Sequence, residues 1–449
     1  MKTYVKDMTV GKPVGLLLSF MLPMLLGNVF QQFYNMVDSM IVGKYVGASA
    51  LAAVGATGSL NFLIFSVCNG MSNGIGIIIS QYFGAGNDEG VKKAIANAVY
   101  IMITAALVMG TIGVLLSNPL LTLLKTPADI IDSSAMYMKI MCGGVFAVAL
   151  YNCVAAILRA IGDSKTPLYF LIVSSILNVI LDLLFVRVFH WGVAGAGIAT
   201  IIAQFLSGIG SLLFALKKNP YFKLEKAHMA PQKNIIAQCV RIGVPLAFQM
   251  SLIAISCIVL QGVVNTFGSV VVAAYTATNR IEQLVQQPYN SLGMAMSTYT
   301  GQNMGAGKID RVKQGYRKGC MMMAVFSLVM LPLAHFGGEF IMKMFVNETD
   351  VIAMGSQALK ITSWFYFFLG LIYVTRGMLN GAGDATFSFI NGIVEMIGRI
   401  CFARPLTMIP GIGIWGIWMA TALTWFITGI VSILRYCQGK WKRDVMKRE

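Results

Sequence analysis

Two acidic residues lie inside long apolar runs of this 449-residue chain, and each follows an amide by one helical turn: Asn35 precedes Asp38, and Asn178 precedes Asp182. Asn28, Gln31, Asn35 and Asp38 recur at steps of three and four, which places them on one helix face, with Tyr34 one turn before Asp38. A charge at mid-membrane costs roughly 2.5–3.5 kcal/mol on insertion scales, so each such carboxylate needs a reason. Two carboxylates in one dry pocket cannot both carry charge cheaply, and the pair should hold a proton or a small cation. Carboxylate, amide, hydroxyl and carbonyl oxygens are the hard ligands that sodium accepts. Thr200, in the segment that opens with Gly192 to Gly197, adds a hydroxyl to the same candidate set. The plainer reading makes Asp38 and Asp182 satisfied hydrogen-bonding groups on packed helices.

The second half carries different chemistry. Three short matches, Gln81–Gly86 with Gln302–Gly307, Gly162-Asp163 with Gly383-Asp384, and Ala199-Thr200 with Ala420-Thr421, share one offset of 221 residues. At that offset Asp38 and Asp182 fall on Val259 and Ala403, so any acid-based coupling site is asymmetric. The second half instead offers Asn279, Arg280, Glu282, Gln283, Gln286, Gln287 and Asn290 in one segment, and Glu395 with Arg399 in another. The latter two are i and i+4, and a mutually neutralising structural ion pair is the expectation. Glu282 does not face Arg280 two residues away. It is therefore a candidate cavity residue that attracts cations, with Gln31, Asn35, Gln286 and Asn290 as further candidate cargo contacts.

The elements that must position these groups are membrane helices. Hydrophobic residues make up 57% of the chain and charged residues 12%, about half the share of an ordinary soluble domain, and the mean hydropathy is +0.73. Apolar runs of about 20 residues, each able to cross ~30 Å of hydrocarbon, recur throughout. Breaks at charged, Pro and Gly residues predict helices over 16–44, 50–80, 93–116, 133–158, 166–189 and 193–216. A second series covers 238–267, 270–300, 317–342, 354–380, 385–408 and 413–436. The polar, lysine-rich stretch between them predicts an N-lobe over 1–216, a cytoplasmic linker over 217–236 and a C-lobe over 237–449. Most of the 34 Lys and Arg fall in loops of one parity, and only Lys44, Lys125, Arg187, Lys343 and Arg404 in loops of the other. The positive-inside rule then puts both termini in the cytoplasm, and the expected location is the plasma (inner) membrane. A repeat with an even number of spans preserves orientation, so its halves are related by a pseudo-two-fold axis along the membrane normal and commonly enclose a central cleft. The fold class expected is all-α: twelve transmembrane helices in two six-helix bundles.

Several other chemistries have no support. The net charge of +16 is spread over alternate loops as topology signals are, which argues against a nucleic-acid partner. The eight cysteines are scattered singly and read as small buried hydrophobes. No G-x-x-x-x-G-K-[ST] occurs, and His190, His228 and His335 are far apart, so no ATP site, metal cluster, cofactor or catalytic triad is expected. Gly70-x-x-x-Gly74 and the Gly192–Gly197 stretch read as close helix contacts. Pro23, Pro245 and Pro288 fall within predicted helices and should bend them.

These residues resemble the multidrug and toxic compound extrusion (MATE) family of antiporters over essentially the whole chain. The resemblance is carried by Gln31 to Asp38, by Leu177-Asn178 to Asp182, by the two Gln-x-x-Gly-Ala-Gly loops, and by Ala273 to Glu282 with Leu292 to Gly307. It implies two lobes around a cleft and export of cationic or amphipathic small molecules in exchange for H+ or Na+, by a chain functional as a monomer. It also implies a cation-coupling set of Asp38, Asn178, Asp182 and Thr200, with Tyr34 and the carbonyl of Ala196 nearby. The NorM-like branch places coupling carboxylates in the C-lobe. Here Ile253 stands where its glutamate is expected, which places the chain closer to the DinF-like branch. The alternative reading is a flippase for lipid-linked oligosaccharides or cell-wall precursors, and an intramembrane enzyme finds no nucleophile–base or metal set.

Overall fold

The computed structural model describes residues 5–442, and among them the secondary structure is entirely helical. The expected cytoplasmic placement of the chain ends concerns residues 1–4 and 443–449, which lie outside the described residues. Fourteen α-helices follow in order: α1 Pro13–Tyr45, α2 Ala48–Gly84, α3 Asp88–Leu123, α4 Ile131–Gly143, α5 Val145–Ala160, α6 Lys165–Asp182, α7 Gly192–Lys218, α8 Lys233–Val264, α9 Ser269–Gly305, α10 Ile309–Lys343, α11 Thr349–Ser363, α12 Tyr366–Gly381, α13 Ala385–Thr407 and α14 Gly416–Gln438. Each predicted apolar run is helical. Two of them, 133–158 and 354–380, are broken: α4 and α5 bend by 45° across Gly144, and α11 and α12 by 54° across Trp364-Phe365.

Nine helices among the described residues are long and apolar enough to cross a bilayer, or eleven if each bent pair is one span. The twelfth predicted span, α9, falls outside that set because Thr276, Asn279, Arg280, Glu282, Gln283, Gln286, Gln287 and Asn290 lower its hydropathy. Large apolar side chains are exposed along these helices, Phe336 at 90% and Leu123 at 76% among them, as a lipid-facing surface requires. The chain is a multi-pass membrane protein. Of the cysteines, Cys68, Cys142, Cys153 and Cys239 are buried as expected, while Cys257, Cys401 and Cys437 are exposed on helix surfaces.

Two compact units emerge. The first takes in residues up to Val10 with Leu22–Phe248, and the second takes in Gly11–Met21 with the residues from Gln249 on. The boundary thus lies later than the expected 237, and the reason is local. A Cβ on Gly70 would meet the backbone nitrogen of Ala247 at 2.5 Å, and one on Gly74 would meet that of Gly243 at 2.6 Å, so α8 begins in backbone contact with α2. The stretch 217–236 is likewise packed within the first unit. Tyr221 donates to Asp88 at 2.9 Å, His228 Nε2 lies 2.9 Å from Glu89 Oε2, and Tyr100 donates to the Met229 carbonyl at 2.6 Å. Burial, with the Asp88 carboxylate beside it, pushes the Tyr221 hydroxyl up to about 12.

The internal repeat extends to backbone conformation. Gly86 and Gly307 have φ of 67° and 69°, Gly162 and Gly383 have 91° and 86°, and Gly192 and Gly413 have 56° and 53°. All three pairs keep the 221-residue offset in the left-handed region that glycine enters without a Cβ penalty. The bonds that close the turns repeat as well: Asn87 N–H to Tyr82 C=O at 3.0 Å matches Lys308 N–H to Asn303 C=O at 2.8 Å.

Candidate functional site

The carboxyl groups of Asp38 on α1 and Asp182 at the end of α6 lie within hydrogen-bonding reach of each other inside the first unit. Asp182 is fully buried, and each aspartate keeps one buried oxygen, Oδ1, that no donor satisfies. Immediately after Asp182 the helix widens into a π-helical turn, Leu183–Val188, a local irregularity often found beside functional groups. The turn is surrounded by apolar side chains, with Ile41, Val42, Tyr137, Val186, Val193 and Ala196 in one cluster and Val37 and Val179 packed against it.

Asn178 sits one turn before Asp182 and is buried. With its amide oriented to satisfy both neighbours, its nitrogen donates to Asp182 Oδ2 at 3.2 Å, and its oxygen stands 3.3 Å from both the hydroxyl oxygen and the backbone nitrogen of Thr200. The Thr200 hydroxyl donates to the Ala196 carbonyl at 3.0 Å, the i to i−4 bond open to a helical threonine. Tyr34 lies beside both carboxyls, with Gln204 next to it. The six residues of the predicted cation set therefore meet in one place. Tyr137 and Gln204 join them, and neither had a sequence signal, since a lone tyrosine or glutamine in an apolar helix is indistinguishable from a packing residue. Gln31 is half-buried on α1, and Asn35 is exposed.

Oxygen is the only ligand type this site offers. Two buried carboxyl oxygens without donors, an amide, a hydroxyl and a carbonyl form an acceptor-rich pocket that can take up a proton or a bare hard cation.

The second unit holds a polar group of the opposite character. Arg376 Nη1 lies 3.6 Å from Glu395 Oε1, and the Arg376 guanidinium stands 4.8 Å from the centre of the Tyr373 ring. Arg399 Nη1 donates to Ser256 Oγ at 2.7 Å and to Cys257 Sγ at 3.2 Å. The expected Glu395–Arg399 pair is thus corrected: the direct partner of Glu395 is Arg376 on α12, because Arg399 extends across to α8 and not along its own helix. Tyr373 donates to Gln286 Oε1 at 3.1 Å, which ties α9 to the same group. Glu282 is buried on α9, its Oε1 has no hydrogen-bond partner, and Thr362 and Arg399 are among its neighbours. Asn290 is half-buried one turn beyond Gln286. Arg376 was legible in principle, as the one charged residue within the apolar run of α12.

The repeat reappears in comparison with known proteins. The MatE family model matches residues 23–184 and again 245–403. The chain is similar to the "Probable multidrug resistance protein YpnP" of Bacillus subtilis, 30% identical over 445 residues and covering 98% of each chain. Its fold resembles a MOP superfamily transporter from Pyrococcus furiosus, for which a reverse polarity of the binding pocket is said to suggest a different function, with a TM-score of 0.91, 21% identity and 99% of both chains covered. It equally resembles MATE in the straight conformation, with a TM-score of 0.91, 21% identity and 98% and 99% covered. Duplicated helices, matched halves and a whole-length relative lead to one conclusion: the chain belongs to the MatE family.

Proposed function

We propose that this protein exports organic cations and amphipathic small molecules by alternating access, in exchange for a proton or a sodium ion taken up at Asp38 and Asp182. The observation that carries the reading is the meeting of these two carboxyl groups, each with an unsatisfied buried oxygen, in a polar cluster enclosed by apolar side chains of the first unit. A hydrogen bond between two carboxyl groups needs a proton between them, and a cation would fill the same role. Loading and unloading that charge changes what the α1–α6 contact costs, and this supplies a two-state element biased by the ion gradient. By linkage, bound cargo weakens the ion by the factor by which the ion weakens cargo. The family and the multidrug name of the Bacillus relative support drug export. We further place the chain nearer the DinF-like branch, with twelve spans in two lobes and cytoplasmic termini, since Ile253 leaves the second unit without the acid of the NorM-like pattern.

Reconstitution tests this directly. Purified protein in liposomes should take up a fluorescent organic cation when a pH gradient or a sodium gradient is imposed, and each gradient is applied alone to identify the ion. Asp38→Asn and Asp182→Asn should each abolish gradient-driven uptake at equal reconstitution. Wild-type uptake by both variants would falsify the coupling assignment.

A further inference from the structure

The export reading uses the first unit and leaves Arg376 and Arg399 without a task. Both are costly where they stand. Arg399 is only 8% exposed, and its Nε has no hydrogen-bond partner; Arg376 Nη1 is also buried without one. Buried guanidinium donors left unsatisfied are rare, because the group loses its hydration and receives nothing in return. The local carboxyl groups satisfy neither donor by a hydrogen bond. Glu395 stands 3.6 Å from Arg376, beyond a good hydrogen bond, and both Glu395 and Glu282 lie within electrostatic reach of Arg399 without hydrogen-bonding it. Two guanidinium donors, Arg376 Nη1 and Arg399 Nε, are thus left without a hydrogen-bond acceptor although carboxyl groups stand nearby. Tyr373 sits within electrostatic reach of Arg376, Arg399 and Glu395.

The repeat sharpens this point. Arg399 occupies the position 221 residues after Asn178, the amide of the cation set, and Ser256, which accepts from Arg399, is the counterpart of Asn35. The place that serves an acidic, cation-accepting pocket in the first unit is filled in the second by a guanidinium with a spare donor.

We infer that Arg376 and Arg399 form a receptor within the second unit for an oxyanion, a carboxylate or phosphate carried by the transported molecule. A planar guanidinium fork presents parallel N–H donors that match the two oxygens of such a group, and the match is charge-assisted. Cargo that carries both a cationic and an anionic group is then recognised in preference to cargo with the cation alone. The inference deepens the export reading and rests on it for the identity of the ligand as cargo. The site itself is read by binding, which needs no transport.

The test uses one fluorescent cationic dye in two forms, with its carboxylate free and as the methyl ester. Equilibrium binding to the purified full-length protein in dodecyl maltoside is measured for both. The free-acid form should bind more tightly, and acetate should compete with it while leaving the ester unaffected. Arg376→Gln and Arg399→Gln should each weaken the free-acid form roughly tenfold or more, as the loss of a charge-assisted hydrogen bond implies, and leave the ester within about twofold. Arg376→Lys and Arg399→Lys should fall between. Equal weakening of both forms identifies a structural tie between α8, α12 and α13 and overturns the inference, as does no weakening at all. If the glutamine variants fail to fold, acetate competition on the wild-type protein decides, and acetate without effect overturns the site. Repeating the measurement in phospholipid nanodiscs separates sources: retained free-acid binding assigns the oxyanion to cargo, whereas its loss assigns the place to a lipid phosphate and overturns the cargo assignment. Intact arginine-dependent binding with no gradient-driven uptake counts against the export reading alone. Uptake with both dye forms bound equally counts against the oxyanion site alone.

Discussion

The same repeat position carries Asn178 in the first unit and Arg399 in the second, and the chemistry around each has diverged in sign. Beside Asn178 two carboxyl groups face each other with unsatisfied acceptors. Around Arg399 and Arg376 the unsatisfied atoms include two guanidinium donors as well as the Glu282 Oε1 acceptor. A duplicated backbone thus preserves turns, glycines and helix breaks while its buried polar residues part company. In both units the unsatisfied atoms, more than the residue types, set these polar groups apart from their surroundings.

The comparison is broken most severely by moving the charge across it. Asn178→Arg places a fixed guanidinium beside Asp38 and Asp182, where the exchanged cation should go. Gradient-driven efflux is expected to fall to the level of cells lacking the protein, measured at equal membrane abundance. Efflux that survives this substitution removes the carboxyl pair from the mechanism.

A smaller effect concerns helix approach. A Cβ on Gly377 of α12 would lie 2.1 Å from the Gly293 carbonyl oxygen of α9, whereas the counterpart of Gly377 in the first unit is Ala156, whose own Cβ is accommodated against α2. Gly377→Ala should cost about 1–3 kcal/mol through forced separation of α9 and α12. Ala156→Gly should cost only about 1 kcal/mol, through helix propensity. Thermal unfolding of the two variants in detergent compares them, and a reversed order would show that the units pack alike.

Smaller still is the contrast between Asp163 and Asp384. Asp384 accepts two bonds from Arg435, at 2.8 and 3.1 Å, while Asp163 accepts from the Lys165 and Thr166 backbone N–H groups and from the Thr166 hydroxyl. Asp384→Asn should cost about 1–2 kcal/mol by losing the charge-assisted fork, and Asp163→Asn less than about 1 kcal/mol, since an amide oxygen still accepts from the backbone. The smallest effect is one of pH. Burial pushes the Asp163 carboxyl up in the folded protein. The folded state therefore binds its proton first, and stability gains a small increment as pH falls through that raised value toward about 4, the ordinary carboxylate range. Asp163→Asn should remove this increment from the pH profile of unfolding, and an unchanged profile would contradict it.

Much of this was readable in the residues. The face from Asn28 to Asp38, the Asn178–Asp182 turn and the offset of 221 follow from helical periodicity and self-similarity, which need no coordinates. Tyr137 and Gln204 left no trace, because an isolated polar group in an apolar helix carries no period. The pairing of Glu395 was misread for a related reason. Spacing i, i+4 makes two side chains neighbours on one helix, but Arg376 on a second helix and Ser256 on a third offered competing partners. The boundary at Phe248 was likewise hidden, since glycine spacing predicts that a close contact will form without naming the helix that makes it.

The sequence by itself determined that the chain is helical, apolar, duplicated and furnished with the Asp38 and Asp182 pair in one half only, because hydropathy, periodicity and repeat offset are properties of the chain in one dimension. Tertiary structure alone decided that Asp38 meets Asp182, that Glu395 turns to Arg376, and that guanidinium donors are left unsatisfied beside Tyr373. Those facts depend on which helix faces which, and that is set by side-chain packing between segments far apart in the chain.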